Sequence, residues 1–400
     1  MHILLIHQAF TTTGNAGGTR HFEIARYLAT KGHQITVITS PVSYLTGEKE
    51  NAAKASKVDG INILYSYTSK GMHKGFFSRL CAFFSFMISS FFKALSVPDV
   101  DIVWGTSPNL FQGLTAWLSA KCKKAGFLFE IRDLWPDFAI ELGVLTNPLL
   151  IYFSKKLEKF LYLHADRLIV NSPGFIPSIQ KKCGKIPALV ANGSDPEMFR
   201  SSDQGETFRK EYHLDQSFVV MYCGAHGPAN DLDIVLDAAD MLRNRQDIKF
   251  VLVGSGKDKT RLMENASQKK LKNVIFTPPV SKENIANVMA ASDMGLAILK
   301  PIPLFKTTYP NKVFDTMAAG KPVLLQIDGV IRELVETYDA GIFIEPGNAE
   351  ALANAVTAMA ADRERCREMG MNGYQAICKD FSRERAANLI ENIMKTMLKK

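Results

Sequence analysis

The run PLFKTTYPNKVFDTMAAGKPV, residues 303–323, read with the MGLAILK stretch (294–300) before it, decides the fold. MGLAILK reads as a buried strand. Pro301, Pro303 and Pro310 bar the intervening residues from both a β-ladder and a helix interior, so they form an irregular loop. Pro310 stands where helix first turns favour proline, NKVFDTMAA continues as helix, and Gly320 ends it before a second apolar strand. A strand, a loop and a helix N-terminus in that order form the place where α/β sheets receive ligand phosphates, because free N–H groups and the helix dipole converge there. Asp315, four residues after Asn311, is placed to accept hydrogen bonds from a hydroxylated ligand such as ribose.

The same alternation extends in both directions. In the first half, HILLIHQAF, a glycine loop, the helix TRHFEIARYLATKG and the strand QITVITS make a βαβ unit. INILYSY, DIVWGTS, FLFEIRD and RLIVNS supply further strands, with helices over LFQGLTAWLSAKCKKAG and residues 148–164. The pattern restarts with FVVMYCGAHG, KFVLVGSG, NVIFTPPV, MGLAILK, PVLLQ and GIFIEP, each separated from the next by a helix or turn. This is an α/β chain of two doubly wound halves joined near residue 200.

The 400 residues are enough for two cores, and 46% hydrophobic with 22% charged residues excludes a disordered chain. Cys81, Cys122, Cys183, Cys223, Cys366 and Cys378 are scattered without a metal-ligand spacing, which fits a reducing cytosol. MHILLIHQAF reads as a first strand rather than a secretory signal. Residues 1–195 carry 21 Lys/Arg and 13 Asp/Glu, whereas residues 196–400 carry 27 of each, so the whole excess of positive charge belongs to the first half. No nucleic-acid motif accompanies it, which leaves an anionic lipid surface or a phosphorylated acceptor as its partner. Residues 76–95, FFSRLCAFFSFMISSFFKAL, favour the lipid. Their uncharged run, Leu80 to Phe92, spans about 20 Å as a helix, too short to cross a bilayer. With Lys70, Lys74, Arg79 and Lys93 around it, the segment is expected to lie in the membrane interface with its phenylalanines down.

Candidate site residues cluster where strands end. Gly14, Gly17 and Gly18 form the first βα turn, and Arg20 at the following helix start opposes the dipole unless an anion sits beside it. FEIRDLWPD brings Glu130, Arg132, Asp133, Trp135 and Asp137 to the end of a strand, and Thr106-Ser107 follows the strand before it. Asn192-Gly193-Ser194-Asp195 makes a turn at the junction of the halves, and Gly224, His226 and Gly254 follow two strands of the second half. The D-x-D pairs Asp99/Asp101 and Asp231/Asp233 read as caps.

The 303–323 run resembles the donor-nucleotide signature of family 4 retaining glycosyltransferases. That signature carries two glutamates eight residues apart, then small residues, Gly and Pro. Here the second acid is Asp315, followed by Met317-Ala318-Ala319-Gly320-Lys321-Pro322, while Thr307 occupies the place of the first. Pro303-Leu304-Phe305-Lys306 and the shortened carboxylate resemble the branch that builds bacterial surface polysaccharides from nucleotide-linked amino sugars. Asn192-Gly193-Ser194-Asp195 with Phe199 is similar to the family's NGxDxxxF run.

The resemblance implies the GT-B fold, two Rossmann-like doubly wound domains facing an interdomain cleft. The expected domains are an acceptor- and membrane-facing one at 1–197 and a donor domain at 198–381, with helix 382–400 crossing back onto the first. It implies a UDP-sugar donor, an N-acetylated hexosamine or deoxyhexosamine, with no cofactor and no metal. Gly17, Gly18, Gly224, His226, Gly254, Lys306, Thr307, Thr308, Asn311 and Asp315 are expected on the donor. Thr19, Arg20, Thr106, Ser107, Glu130 and Trp135 are expected on the acceptor side, and Arg132, Asp133 and Lys306 in catalysis. The acceptor implied is a polyprenyl-diphosphate-linked saccharide at the cytoplasmic face of the inner membrane. Where the family holds the diphosphate with an Arg and a Lys, this chain has Ala225 and Asn230-Asp231, so Lys306 or Lys300 is expected to take their place. The departures at Thr307, Ala225 and Asn230 leave open a UDP-N-acetyl sugar epimerase of the same fold or a non-catalytic sugar-nucleotide-binding protein.

Overall fold

The computed structural model describes residues 1–15, 17–42, 55–69, 75–201 and 203–398. Lys70 and Lys74, expected beside the Phe-rich helix, lie outside these residues. The chain divides into two units: Met1–Thr12, Gly18–Ala191 and Arg383–Lys400 form one, and Thr13–Gly17 with Asn192–Ser382 the other.

The first unit is built on eight strands: β1 (His2–Ile6), β2 (Gln34–Thr39), β3 (Ala55–Val58), β4 (Ile61–Tyr65), β5 (Ile102–Thr106), β6 (Gly126–Ile131), β7 (Arg167–Val170) and β8 (Ala188–Leu189). Their order is β3-β4-β2-β1-β5-β6-β7-β8, parallel except for the β3–β4 pair. The β3 edge strand was not anticipated from the sequence. β1 and β5 are buried along their whole length, as strands covered on both faces must be. Strand order reverses between them, so the loops that follow β1 and β5 part and leave a crevice at their C-terminal ends. Three side-chain bonds fix those loops: Gln8 N–H to Gln112 Oε1 (2.8 Å), Asn109 Nδ2 to Gln8 Oε1 (2.7 Å) and Gln112 Nε2 to the Thr106 carbonyl (2.6 Å).

Beneath that crevice the helix Arg20–Thr30 carries charge into the core. Arg20 Nε meets Glu130 Oε1 at 2.9 Å, and its other nitrogens donate to the Val190 and Ala191 carbonyls at 2.7 and 2.8 Å. His21 Nε2 lies 2.7 Å from the other Glu130 oxygen. Burial alone would raise the Glu130 carboxyl, but its cationic and hydrogen-bonding neighbours hold it far below its ordinary value, while burial pulls His21 down to about 4, a neutral donor. The anion that the position of Arg20 called for is therefore Glu130. On the same unit, Ala387, Ile390 and Met394 of helix Arg383–Leu398 join Ile3, Phe22 and Ile24 in one core, and Arg383 pairs with buried Glu23.

The second unit carries β9 (Phe218–Cys223), β10 (Ile248–Val253), β11 (Val274–Thr277), β12 (Met294–Ile298), β13 (Val323–Gln326) and β14 (Gly341–Phe343). All are parallel, in the order β11-β10-β9-β12-β13-β14. The reversal falls between β9 and β12, which places the loop after β12 against the loop after β9. Lys300 N–H reaches the Ala229 carbonyl at 2.9 Å. Gly295 in β12 lets helix Asn311–Ala318 pack close, since a Cβ there would lie 2.4 Å from Thr316.

The buried Arg20–Glu130–His21 cluster generates a stability prediction. Glu130→Ala leaves an uncompensated guanidinium in the core and should cost about 3–5 kcal/mol in urea denaturation. A loss below about 1 kcal/mol would contradict the pairing.

Candidate functional site

In the second unit three chain segments meet at the β9/β12 reversal, the place where the sequence leads one to expect a phosphate site. The first is the turn after β9. Gly224 packs against the turn after β10 so closely that a Cβ on Gly254, at φ +143°, would stand 2.0 Å from the Gly224 carbonyl oxygen. His226 is fully buried between them, with no hydrogen-bond partner on either ring nitrogen among the described residues. Burial brings its imidazole down to about 4, with Lys259 and Lys312 adding to the effect, so the ring is neutral at pH 7. Lys259 Nζ ties the Gly254 and Thr277 carbonyls together at 2.7 and 2.6 Å.

The second segment is the loop after β12. It is a 3-10 turn, Pro303–Thr307, whose hydroxyls serve the loop itself: Thr307 Oγ1 donates to the Leu304 carbonyl and Thr308 Oγ1 to that of Phe305. Lys306 turns outward. Its side chain is more than half exposed, and its Nζ pairs with Asp328 at 2.7 Å. This corrects the expectation that Lys306 is a spare cation: hydrogen bonding and charge from Asp328 raise its ammonium above the usual lysine value. Lys300 is exposed near Asp231.

The third segment is helix Asn311–Ala318, entered through Pro310 with no side-chain cap. Lys312 in its first turn points at the first segment. Its Nζ donates to Tyr222 Oη (3.0 Å) and Asn230 Oδ1 (3.1 Å) and lies 4.2 Å from the Tyr222 ring centroid. Tyr222 Oη donates in turn to the Ala225 carbonyl at 2.7 Å. Among the described residues no carboxylate pairs with Lys312, and burial lowers its ammonium to about 7. Asn311 Oδ1 is also buried without a partner.

Asp315, one turn on, is already engaged. Ser194 Oγ donates to one oxygen and Lys282 Nζ pairs with the other, each at 2.7 Å. The Asn192–Asp195 turn is thus tied to this helix rather than standing free. Asn192 Nδ2 holds the Tyr309 carbonyl at 2.5 Å, and a Cβ on Gly193 would stand 1.9 Å from the Phe381 carbonyl oxygen. Asp233 pairs with Arg261 and Asp101 accepts from the His2 N–H, so neither D-x-D pair converges on a site. No group of three His, Cys, Asp or Glu side chains suited to a metal occurs among the described residues.

In the first unit the crevice at β1/β5 gathers Gly18, Ser107, Arg132 and Asp133. Ser107 Oγ accepts from the Arg132 and Asp133 N–H groups at 2.8 and 3.2 Å. A Cβ on Gly18 would be 4.0 Å from Arg132 Nη2. Arg132 Nη1 lies 3.5 Å from His7 Nε2, and its Nε has no partner among the described residues. Burial pushes the Asp133 carboxyl up to about 6 despite Arg132. Arg20, Glu130 and Thr106 are 0–1% exposed, so the structure moves them from the acceptor-side set into the supporting layer. Thr19, 3% exposed, bonds to Glu23, and Trp135 is half-buried beside Asp133. Gly17 groups with the second unit, where Thr13 Oγ1 donates to Glu283 Oε1 at 2.9 Å.

Residues 203–376, inside the second unit, match the family model for glycosyl transferases group 1. The chain is 25% identical over 353 residues to the colanic acid biosynthesis glycosyl transferase WcaI of Escherichia coli K12, covering 84% of this chain and 86% of that protein. Among solved structures it is similar to sucrose-phosphate synthase from Thermosynechococcus elongatus (TM-score 0.79, 16% identity, 99% and 98% of the two chains). It is likewise similar to Anabaena HepE in complex with UDP-glucose (TM-score 0.73, 17% identity, 99% and 100%). At that identity the likeness shows the fold, which is GT-B.

Sequence reasoning passed over Lys312, His7 and Lys282. For Lys312 a signal was present: a cation in the first turn of a helix opposes the dipole, the argument applied to Arg20. Arg20 has its anion within the protein, and Lys312 has none among the described residues.

Proposed function

We propose that the chain is a retaining glycosyltransferase that moves an N-acetylated hexosamine or deoxyhexosamine from a UDP-sugar to a lipid-linked saccharide in bacterial surface polysaccharide synthesis. The match over residues 203–376 and the likeness to WcaI support a group 1 glycosyltransferase. The observation that carries the donor reading is the β9/β12 reversal, where two interlocked glycine turns meet an uncapped helix N-terminus. Such an arrangement suits a diphosphate, because close backbone approach and free N–H groups act together. Asp315 is proposed to accept from the ribose hydroxyls, with Ser194 and Lys282 fixing its orientation.

In the proposed reaction the bond from the sugar's anomeric carbon to the β-phosphate oxygen breaks. An acceptor hydroxyl forms the new bond on the same face, and its proton passes to the departing phosphate, releasing UDP. Charge on the leaving group is met by helix-end amides and a side-chain cation, so no metal is required. Arg132 and Asp133 carry the acceptor side by orienting the attacking hydroxyl, with which a carboxyl raised to about 6 is suited to hydrogen-bond.

The lipid-linked acceptor is supported by helix Phe76–Leu95: Phe77–Leu95 is long and apolar enough to cross a membrane by length and composition, although the uncharged run within it, Leu80–Phe92, is shorter than a bilayer. Its faces differ. Phe86 is fully buried, whereas Phe77, Phe84, Ile88, Phe92 and Leu95 form one exposed stripe. Helix Pro148–His164 of the same unit exposes Leu149, Tyr152 and Phe153 with Lys155, Lys156 and Lys159. Apolar stripe and basic residues suit an interfacial seat on the inner membrane. The sequence expectation of all phenylalanines facing lipid is corrected by Phe86, which faces the core.

Incubation with UDP-sugars tests the reading. Transfer with retained anomeric configuration, dependent on a polyprenyl-diphosphate saccharide and insensitive to EDTA, is expected. UDP release or epimerisation without acceptor, or binding without turnover, would contradict it. In liposome flotation with anionic lipid, Phe77→Ser/Phe84→Ser/Phe92→Ser should lose membrane binding at least fivefold. Flotation equal to wild type would contradict the interfacial seat.

A further inference from the structure

We propose that Lys312 is the cation that receives the donor's diphosphate, in place of the Arg and Lys that Ala225 and Asn230 displace. The inference deepens the UDP-sugar reading and rests on it. Lys282 and Lys306 in the same unit each meet a carboxylate oxygen at 2.7 Å. Lys312 instead has a hydroxyl, an amide oxygen and an aromatic face, all neutral. Its third N–H has no hydrogen-bond partner among the described residues. An ammonium left this way is costly unless a ligand anion completes its shell.

Gly224 borders this ammonium directly: a Cβ there would lie in van der Waals contact with Lys312 Nζ at 3.7 Å and more tightly, at 3.3 Å, against Tyr222 Oη. A Cβ at neighbouring Gly254 would stand 3.4 Å from His226 Nε2, the fully buried ring with two unpartnered nitrogens. Ammonium and imidazole thus both border these glycine turns. Asn230 stands near the place where the family resemblance expects a lysine, and its side-chain oxygen accepts from Lys312 Nζ at 3.1 Å.

A consequence follows for pH. Burial brings Lys312 to about 7, and the groups facing it give no opposing charge: Tyr222 is pushed well above its ordinary value, Cys223 is pushed up to about 12, and His226 is down at about 4. Lys259 adds positive charge on the His226 side, and the Lys282–Asp315 ion pair lies on the Cys223 side. A diphosphate favours the charged ammonium, so binding above pH 7 takes up a proton and UDP affinity falls as pH rises through and beyond 7.

Calorimetric titration with UDP and with uridine tests this. Lys312→Met should weaken UDP binding by about 10- to 100-fold while leaving uridine affinity within about twofold. It should also abolish the buffer-dependent proton uptake at pH 8. Asn230→Asp, which keeps the lysine but gives it a resident carboxylate, should weaken UDP about tenfold or more. Lys312→Met binding UDP within threefold of wild type, or a loss on Lys306→Met in its place, would overturn the assignment while the donor reading stands. Wild-type protein that binds no UDP would overturn both.

Discussion

Several charges around the site of the second unit are paired within the protein, but Lys312 meets no carboxylate among the described residues. Asp315 is balanced by Lys282, Asp328 by Lys306 and Asp233 by Arg261. Lys312 is held in place by neutral groups alone, at the point where strand order reverses and the loops after β9 and β12 meet. A lysine in that setting loses hydration without gaining a counter-charge, and its lowered ammonium value expresses the loss. The surrounding architecture sets its place: Pro310 starts the helix that carries it, Gly295 lets that helix approach the sheet, and the closely packed Gly224 and Gly254 turns lie beside it.

The first unit treats charge in the opposite way. Arg20, also at a helix start, is satisfied by Glu130 and two backbone carbonyls and is sealed from solvent. That sealed layer supports the Ser107–Arg132–Asp133 group above it, in which the Arg132 Nε and one His7 nitrogen remain unpaired among the described residues. The strand ends of each unit thus leave buried hydrogen-bonding groups open: Arg132 Nε and His7 Nδ1 in the first, both His226 ring nitrogens and Asn311 Oδ1 in the second, among the described residues. Under the proposed function, the open bonds belong to the substrates.

Much of the fold was legible because parallel strands covered on both faces leave long apolar runs, punctuated by glycine and proline where loops must turn. MGLAILK, PVLLQ and KFVLVGSG declare themselves this way. The β3 edge was not legible: ASKV has no apolar alternation and pairs antiparallel at the sheet's margin. The helix start at Asn311 and the position of Asp315 were equally readable, since Pro310 sets the phase.

The choice of cation was not readable from loop position alone. Lys306 and Lys312 both flank the same turn, and only tertiary structure shows that Asp328, 22 residues on, claims the first. Likewise, the phenylalanines of residues 76–95 are alike in sequence, and only packing separates Phe86 from Phe84.

A crystal structure of the protein with UDP tests the central claim most directly. The account predicts β-phosphate oxygens within hydrogen-bond distance of Lys312 Nζ, in front of Gly224 and over the start of helix Asn311–Ala318. A diphosphate bound on Lys306 with the Asp328 pair broken, or one lying away from the β9/β12 reversal, would contradict it.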